Sequence, residues 1–200
     1  SLTQNDYTKA MYPFDFKFTV RYTLKADGIT VTYRVRNDSD AEMPFCIGAH
    51  PAFATPGDMN GYRLQFLRPE TAAVPNYNLE TGLHEEHNRR ELMKDSTDLR
   101  LSHEMFYEDV CYFDKVASRQ VELLNSENIG VRVDYPDFTS LGVWQAKDAP
   151  FLCIEPWCGS ADFDDCSGVF AEKRGIEILA PGAEKTFTYA ITAVEHKAKV

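Results

Sequence analysis

Hydrophobic and polar residues alternate along the first part of the chain with almost no break. Phe14, Phe16, Phe18, Val20, Tyr22 and Leu24 fall on one side, with Asp15, Lys17, Thr19, Arg21 and Thr23 on the other. A period of two over this length predicts a half-buried strand starting at Tyr12. Ala26-Asp27-Gly28 predicts a tight turn, because glycine after aspartate supplies the positive φ a hairpin needs. Ile29, Val31, Tyr33 and Val35 then alternate with Thr30, Thr32, Arg34 and Arg36, which gives the returning strand. The first forty residues read as one long antiparallel hairpin.

Shorter elements follow. Residues 43–47 predict a buried strand leading to His50, and Tyr62, Leu64 and Phe66 alternate as another. Between residues 69 and 98 apolar content falls and charge rises, which predicts an irregular excursion with one short strand near 74–77. Its length suggests a functional loop or a rim over a site. Strands are expected at 110–113, 120–124, 131–135 and 141–144. Residues 151–155, bounded by Pro150 and Pro156, predict a buried strand whose last residue, Glu155, leaves the core at the strand end. Residues 175–179 and 185–192 predict a closing strand pair around Pro181-Gly182. No helix longer than two turns is expected. Many short strands joined by turns indicate an all-β fold, an antiparallel β-sandwich in one domain over residues 1–200.

Composition narrows the function. With 44% hydrophobic and 26% charged residues the chain suits an ordinary globular domain, and its 13 Phe and 10 Tyr favour strands. A net charge of −10 argues against nucleic acid and anionic membrane as partners. No apolar run approaches bilayer length, and residues 1–5 carry no signal-peptide pattern. Five cysteines, odd in number and without C-x-x-C spacing, predict a reducing, cytoplasmic setting without disulfides. There is no Gly-rich phosphate loop.

Two stretches share one design. In 45–50 and again in 151–155 an apolar run ends in a titratable residue, His50 or Glu155, set against a proline with an aromatic just beyond. A base and an acid on stiff supports are what proton transfer requires. Taken singly, a strand-end glutamate is most often solvated and such a histidine most often structural. The repetition makes the pair a candidate. His84-Glu85-Glu86-His87 departs from the zinc-helix pattern, since its histidines are three apart and no helix is evident, so no metal site is expected. Arg89-Arg90 reads as an exposed basic pair or a contact for a sugar phosphate. Glu155 with Asp109 could serve a glycosidase only at a separation the sequence does not supply.

Gly48-Ala49-His50-Pro51-Ala52-Phe53, Leu152-Cys153-Ile154-Glu155-Pro156-Trp157 and the tail around Lys173-Arg174-Gly175-Ile176 and Pro181-Gly182 together resemble the aldose 1-epimerase (galactose mutarotase) family, in its shorter bacterial branch. The resemblance covers almost the whole chain, from Tyr12-Pro13-Phe14 onward. It implies a mutarotase-type antiparallel β-sandwich that interconverts the α and β anomers of a free aldose without a cofactor. It implies His50 as the acid at the ring oxygen and Glu155 as the base. An acidic residue that holds sugar hydroxyls falls on Asp109, with Glu108 and Asp114 as alternatives. Phe53 and Trp157, and less clearly Trp144, are candidates to face the sugar ring, against the competing account of core packing. Family members also carry a second active-site histidine, followed by glycine, ahead of the Tyr-Pro-Phe stretch. Residues 1–9 do not match that motif, so the chain is expected to be the C-terminal two-thirds of a longer domain or a natural truncation. Truncation would leave an exposed sheet edge, which leaves a homodimer open. Two other functions stay in view: a non-catalytic carbohydrate-binding module and a hexose-phosphate epimerase.

Overall fold

The computed structural model describes residues 1–197. The chain forms β1 (Leu2–Thr3), a short helix α1 (Asp6–Met11), β2 (Phe16–Leu24), β3 (Gly28–Asn37), β4 (Met43–Phe45), β5 (Ile47–Gly48) and β6 (Ala52–Ala54). Beyond these lie β7 (Arg63–Asn78), β8 (Leu83–Arg100), β9 (Cys111–Phe113), β10 (Gln120–Leu124), β11 (Ile129–Asp134), β12 (Ser140–Trp144), β13 (Phe151–Cys158), β14 (Glu177–Leu179) and β15 (Glu184–Glu195). Eight strands make one sheet in the order β1-β2-β3-β15-β11-β10-β7-β8. A second sheet runs β5-β13-β12-β9, with β6 also paired to β13. Every pairing between named strands is antiparallel. The all-β, antiparallel class expected from the alternation therefore holds.

The core lies between the two sheets. Val31, Val35, Leu64, Phe66, Val121, Leu123, Val133 and Phe187 face it from the large sheet, and Phe113, Leu141, Val143, Leu152 and Ile154 from the smaller one. Each such side chain contributes about 1.5–3 kcal/mol by leaving water. The β2–β3 hairpin turns where predicted, but β2 begins at Phe16 and not at Tyr12, with β1 and α1 ahead of it, and its tip overhangs this core: Tyr22 and Leu24 are exposed although they continue the apolar alternation.

Four further predicted elements need correction. Residues 69–98 are ordered strand, the greater part of a long hairpin made by β7 and β8. Register shifts between Gln65 and Ala73 and at Pro75 reset the side-chain parity, which hides the period of two from a sequence reading. β10 pairs with β7 only over residues 63–66, so beyond Phe66 the hairpin leaves the sheet as a two-stranded ribbon. Pro69 and Pro75 are tolerated there because one side of β7 has no ladder to serve. Residues 43–47 are two strands in different sheets, β4 pairing with β14 and β5 with β13. β14 and β15, expected to pair with each other, pair with β4 and with β3 and β11 instead.

The fourth correction concerns Glu155, which is interior to β13 and 3% exposed. The strand runs through Pro156 because the partner chain departs there. The Ile154 amide donates to Pro51 O at 3.2 Å, and the alternation turns the Pro156 nitrogen to that same side, where β5 has ended and β6 has not begun. A missing N–H costs little at such a gap.

Candidate active site

Strand parity decides which side chains meet. Glu155 is directly opposite Gly142, Trp157 opposite Ser140 and Gly48, and Cys153 opposite Trp144. Directly paired residues share a face, so these lie on the side of the smaller sheet away from the core. Tyr112 of β9, paired with Gly142, joins them. Two glycines give Trp157 its position. A Cβ at Gly48 would fall 2.6 Å from Trp157 Cδ1, and one at Gly142 2.8 Å from Cζ2. The indole therefore rests against the bare backbone of the strands on either side.

His50 stands in the bend between β5 and β6. The Ala49 amide donates to Pro156 O at 3.0 Å, and Ile154 donates to Pro51 O at 3.2 Å, which clamps the bend to β13 on either side of the histidine. His50 Nε2 lies 3.4 Å from Glu155 Oε1. The imidazole also meets Trp144 edge-to-face, with ring centroids 5.9 Å apart. Its side chain is 63% exposed and that of Glu155 only 4%, so the carboxylate sits in the wall while the imidazole stands in the opening.

His50, Glu155, Trp157, Trp144 and Asp109 line one hollow of about 300 Å³, together with Tyr77 and His84. A second depression of about 410 Å³ adjoins it past Trp157, toward Cys46 and Gly159. Asp109 precedes β9 at φ 115°, a conformation that non-glycine residues adopt rarely and that clusters at functional sites. Its carboxylate accepts the Val110 amide at 2.7 Å. Of the three acidic alternatives only Asp109 faces the hollow. Asp114 is committed to Arg89, accepting at 3.0 and 2.9 Å, and Glu108 is an exposed residue outside the lining.

Phe53 does not join the group. Its register partner is Leu152, one residue out of step with Glu155, and it packs against the core. Tyr77 and His84 are lining residues the sequence reading missed. They are opposite each other near the tip of the β7–β8 ribbon, which folds over the smaller sheet. The tip is pinned by the His84 amide donating to Asp162 O and the Asp164 amide donating to His84 O, at 2.8 and 2.9 Å. The His84 ring stacks on Tyr112 at 4.8 Å, and Tyr112 in turn lies 5.6 Å from Trp157. An Asn78–Gly82 turn between two strands was the signal present in the chain, masked by the bulges that precede it.

Electrostatics favour a basic Glu155. Burial pushes its pKa up, the charge of Asp109 adds to this, and His50 and a hydrogen bond from Trp157 act in the opposite direction. A carboxylate raised in this way is a stronger base than one in water. Burial has the reverse effect on His84, whose pKa falls to about 4 and whose ring is neutral at pH 7.

Comparison with known proteins bears on this arrangement. The chromosomal and plasmid LacX proteins of Lactococcus lactis subsp. lactis are each 31% identical over 188 residues, covering 90% of this chain and 63% of their own length. The chain thus spans less than two thirds of these curated relatives. A galactose mutarotase related enzyme from Lactobacillus acidophilus superposes with a TM-score of 0.87 at 28% identity, covering 98% of this chain and 69% of that one. A galactose mutarotase-like protein from Lactobacillus casei shares the fold, with a TM-score of 0.83 at 23% identity over 96% of this chain and 68% of that one. The family model described as aldose 1-epimerase matches residues 1–192, and the chain belongs to that family.

Proposed function

We propose that this chain carries the acid–base pair of an aldose 1-epimerase that interconverts the anomers of a free aldose. The observation that carries the reading is the 3.4 Å approach of His50 Nε2 to Glu155 Oε1 at the edge of a sugar-sized hollow. Glu155 takes the proton of the anomeric hydroxyl as the bond from the anomeric carbon to the ring oxygen breaks, and His50 delivers a proton to that oxygen. The two reacting oxygens share one carbon, so a base and an acid a few ångströms apart reach both. The open aldehyde turns about its bond to the next carbon, and the reverse transfers close the other anomer. Asp109 holds sugar hydroxyls, and the Trp157 face offers an apolar platform to the ring.

A phosphorylated sugar is the weaker reading. Arg89 donates to Asp114 and Glu86, Lys173 to Asp162, and Arg174 to Glu86 and Asp165. Arg89, Lys173 and Arg174 are thus already neutralised, and no Lys or Arg among the described residues lines the hollow. Five free thiols suit a reducing compartment such as the cytoplasm. No helix among the described residues is long and apolar enough to cross a membrane.

Polarimetry of freshly dissolved α-glucose or α-galactose tests the proposal. The chain should speed the drift to equilibrium, and Glu155→Gln or His50→Asn should each lower that rate by about a hundred- to ten-thousandfold. Saturable sugar binding without any acceleration would point instead to a carbohydrate-binding module. Near-normal rates in either variant would remove that residue from its role.

A further inference from the structure

Cys153 has no part in the chemistry proposed above, yet it stands beside the pair that does. It lies two residues before Glu155 on β13, so both side chains leave the same face of the strand. The Cys153 thiol sulfur, a Glu155 carboxylate oxygen and a His50 ring nitrogen all lie within 4.8 Å of one another. Among the described residues this is the one group of three such side chains gathered so closely. Tetrahedral zinc, with bonds of about 2.0 Å to nitrogen or oxygen and 2.3 Å to sulfur, places its ligand atoms about 3.3–3.5 Å apart. The His50–Glu155 separation of 3.4 Å already meets that spacing.

We propose that Cys153, Glu155 and His50 form a three-ligand site for a thiophilic divalent cation, Zn²⁺ above all, and that its occupancy silences the acid–base pair. A sulfur, an imidazole nitrogen and a carboxylate oxygen suit zinc and disfavour magnesium and calcium, which take oxygen ligands. Cys153 and Glu155 come from one rigid strand, and the bend that carries His50 is tied to that strand by two backbone hydrogen bonds. Little ordering is left for the ion to impose. Exposed His50 stands at the opening and gives the ion a way in, and a tetrahedral ion held by three side chains keeps a fourth position that water or a sugar hydroxyl can complete.

The consequence for turnover lies in atom ownership. A His50 nitrogen bound to a cation holds no proton for the ring oxygen, and a Glu155 oxygen bound to the same cation takes none from the anomeric hydroxyl. Binding replaces the thiol proton by the metal and releases that proton to solvent; no bond to carbon changes. Zinc is therefore an inhibitor here, and a chelator restores the rate. The inhibitory half rests on the epimerase reading; the metal site does not.

The test separates the two. The chain, first stripped with a chelator, is titrated with Co²⁺, and the sulfur-to-cobalt charge-transfer absorption is followed in the near ultraviolet. Wild type should show the band, and added Zn²⁺ should displace it. Cys153→Ser should abolish the band and weaken zinc by at least about tenfold. His50→Ala, at an exposed position where folding is not at stake, should keep the band and lose a similar factor in affinity. No band in wild type, or one that survives Cys153→Ser, overturns the site. In parallel polarimetry, the ratio of rates with and without Zn²⁺ should fall well below one in wild type and stay near one in Cys153→Ser. Bound zinc with an unchanged rate overturns the inhibition. No mutarotation by the metal-free chain would count against the epimerase reading while the cobalt spectrum still stood.

Discussion

Gly142 shows how much of this site depends on a missing atom. A methyl group there would lie 2.8 Å from Trp157 Cζ2 and 2.9 Å from Cη2, so Gly142→Ala must lift the indole off the sheet. Overpacking of this kind costs about 1–3 kcal/mol. The variant should show altered near-ultraviolet circular dichroism and roughly tenfold weaker sugar binding by titration, the share expected of one lost aromatic contact. His84 makes the opposite point about a buried polar group. Its ring is sealed against Tyr112, neither nitrogen has a hydrogen-bond partner, and its pKa falls from 6.5 to about 4. The unfolded chain binds this proton more readily than the folded one. Protonation therefore imposes no penalty above pH 6.5, and stability is lost as pH falls from there toward 4. Linkage puts the loss at about 3 kcal/mol. Urea unfolding at pH 7 and pH 4 should show His84→Phe losing correspondingly less than wild type. His50 and Glu155 were legible as candidates because each carries a local mark, a titratable group locked against proline. Phe53 belongs to the same motif as His50 and still turns to the core, because its parity is set by pairing with Leu152, a partner about a hundred residues away.

The β7–β8 ribbon is the element that carries Tyr77 and His84 to the site, and Arg89 ties it down. Arg89 donates from both terminal nitrogens to Asp114 and from one of them to Glu86, and its side chain is only 15% exposed. Arg89→Met would leave Asp114 without its cation in a poorly hydrated place, while Glu86 keeps Arg174, at a cost of about 2–3 kcal/mol. Hydrogen exchange should report it as faster exchange across residues 76–86, with a raised KM for sugar and a smaller change in kcat. Unchanged protection at the tip would show that the backbone bonds to Asp162 and Asp164 hold it alone. Elements whose alternation runs unbroken, β3 and β10, were legible nearly to the residue, and so was the end of β2, although its start at Phe16 and the β1 and α1 segments before it were not. The ribbon was not, because each bulge reverses the parity of the residues beyond it and because a ribbon outside the sandwich needs few apolar residues. Much the same holds for β13: the proline read as its end is a gap in its neighbour.

Across the whole molecule an aromatic cluster ties the large sheet to the β4–β14 pair and to the segment that leads into the smaller sheet. Phe187 on β15 lies 5.8 Å from Phe138, before β12, and 6.1 Å from Phe45 on β4, with no exposure to solvent. Phe187→Ala should cost about 3–5 kcal/mol. The cluster reaches from the large sheet to the start of β12, so thermal unfolding followed by tryptophan fluorescence, which reports the smaller sheet, should shift downward together with far-ultraviolet circular dichroism. A shift in one signal alone would mean that the sheets unfold separately. The order of residues along the chain was enough to establish the β class, most strand positions, the family resemblance and the two titratable residues at its centre. Those features are written in short-range spacing, period two and proline neighbours, which one stretch of chain displays without help. The 3.4 Å meeting of His50 and Glu155, the position of Asp109 at the hollow while Asp114 pairs with Arg89, the arrival of His84 there and the company Cys153 keeps came from the packed fold. Each depends on which strand lies beside which and in what register, and that is settled by contacts between segments many tens of residues apart.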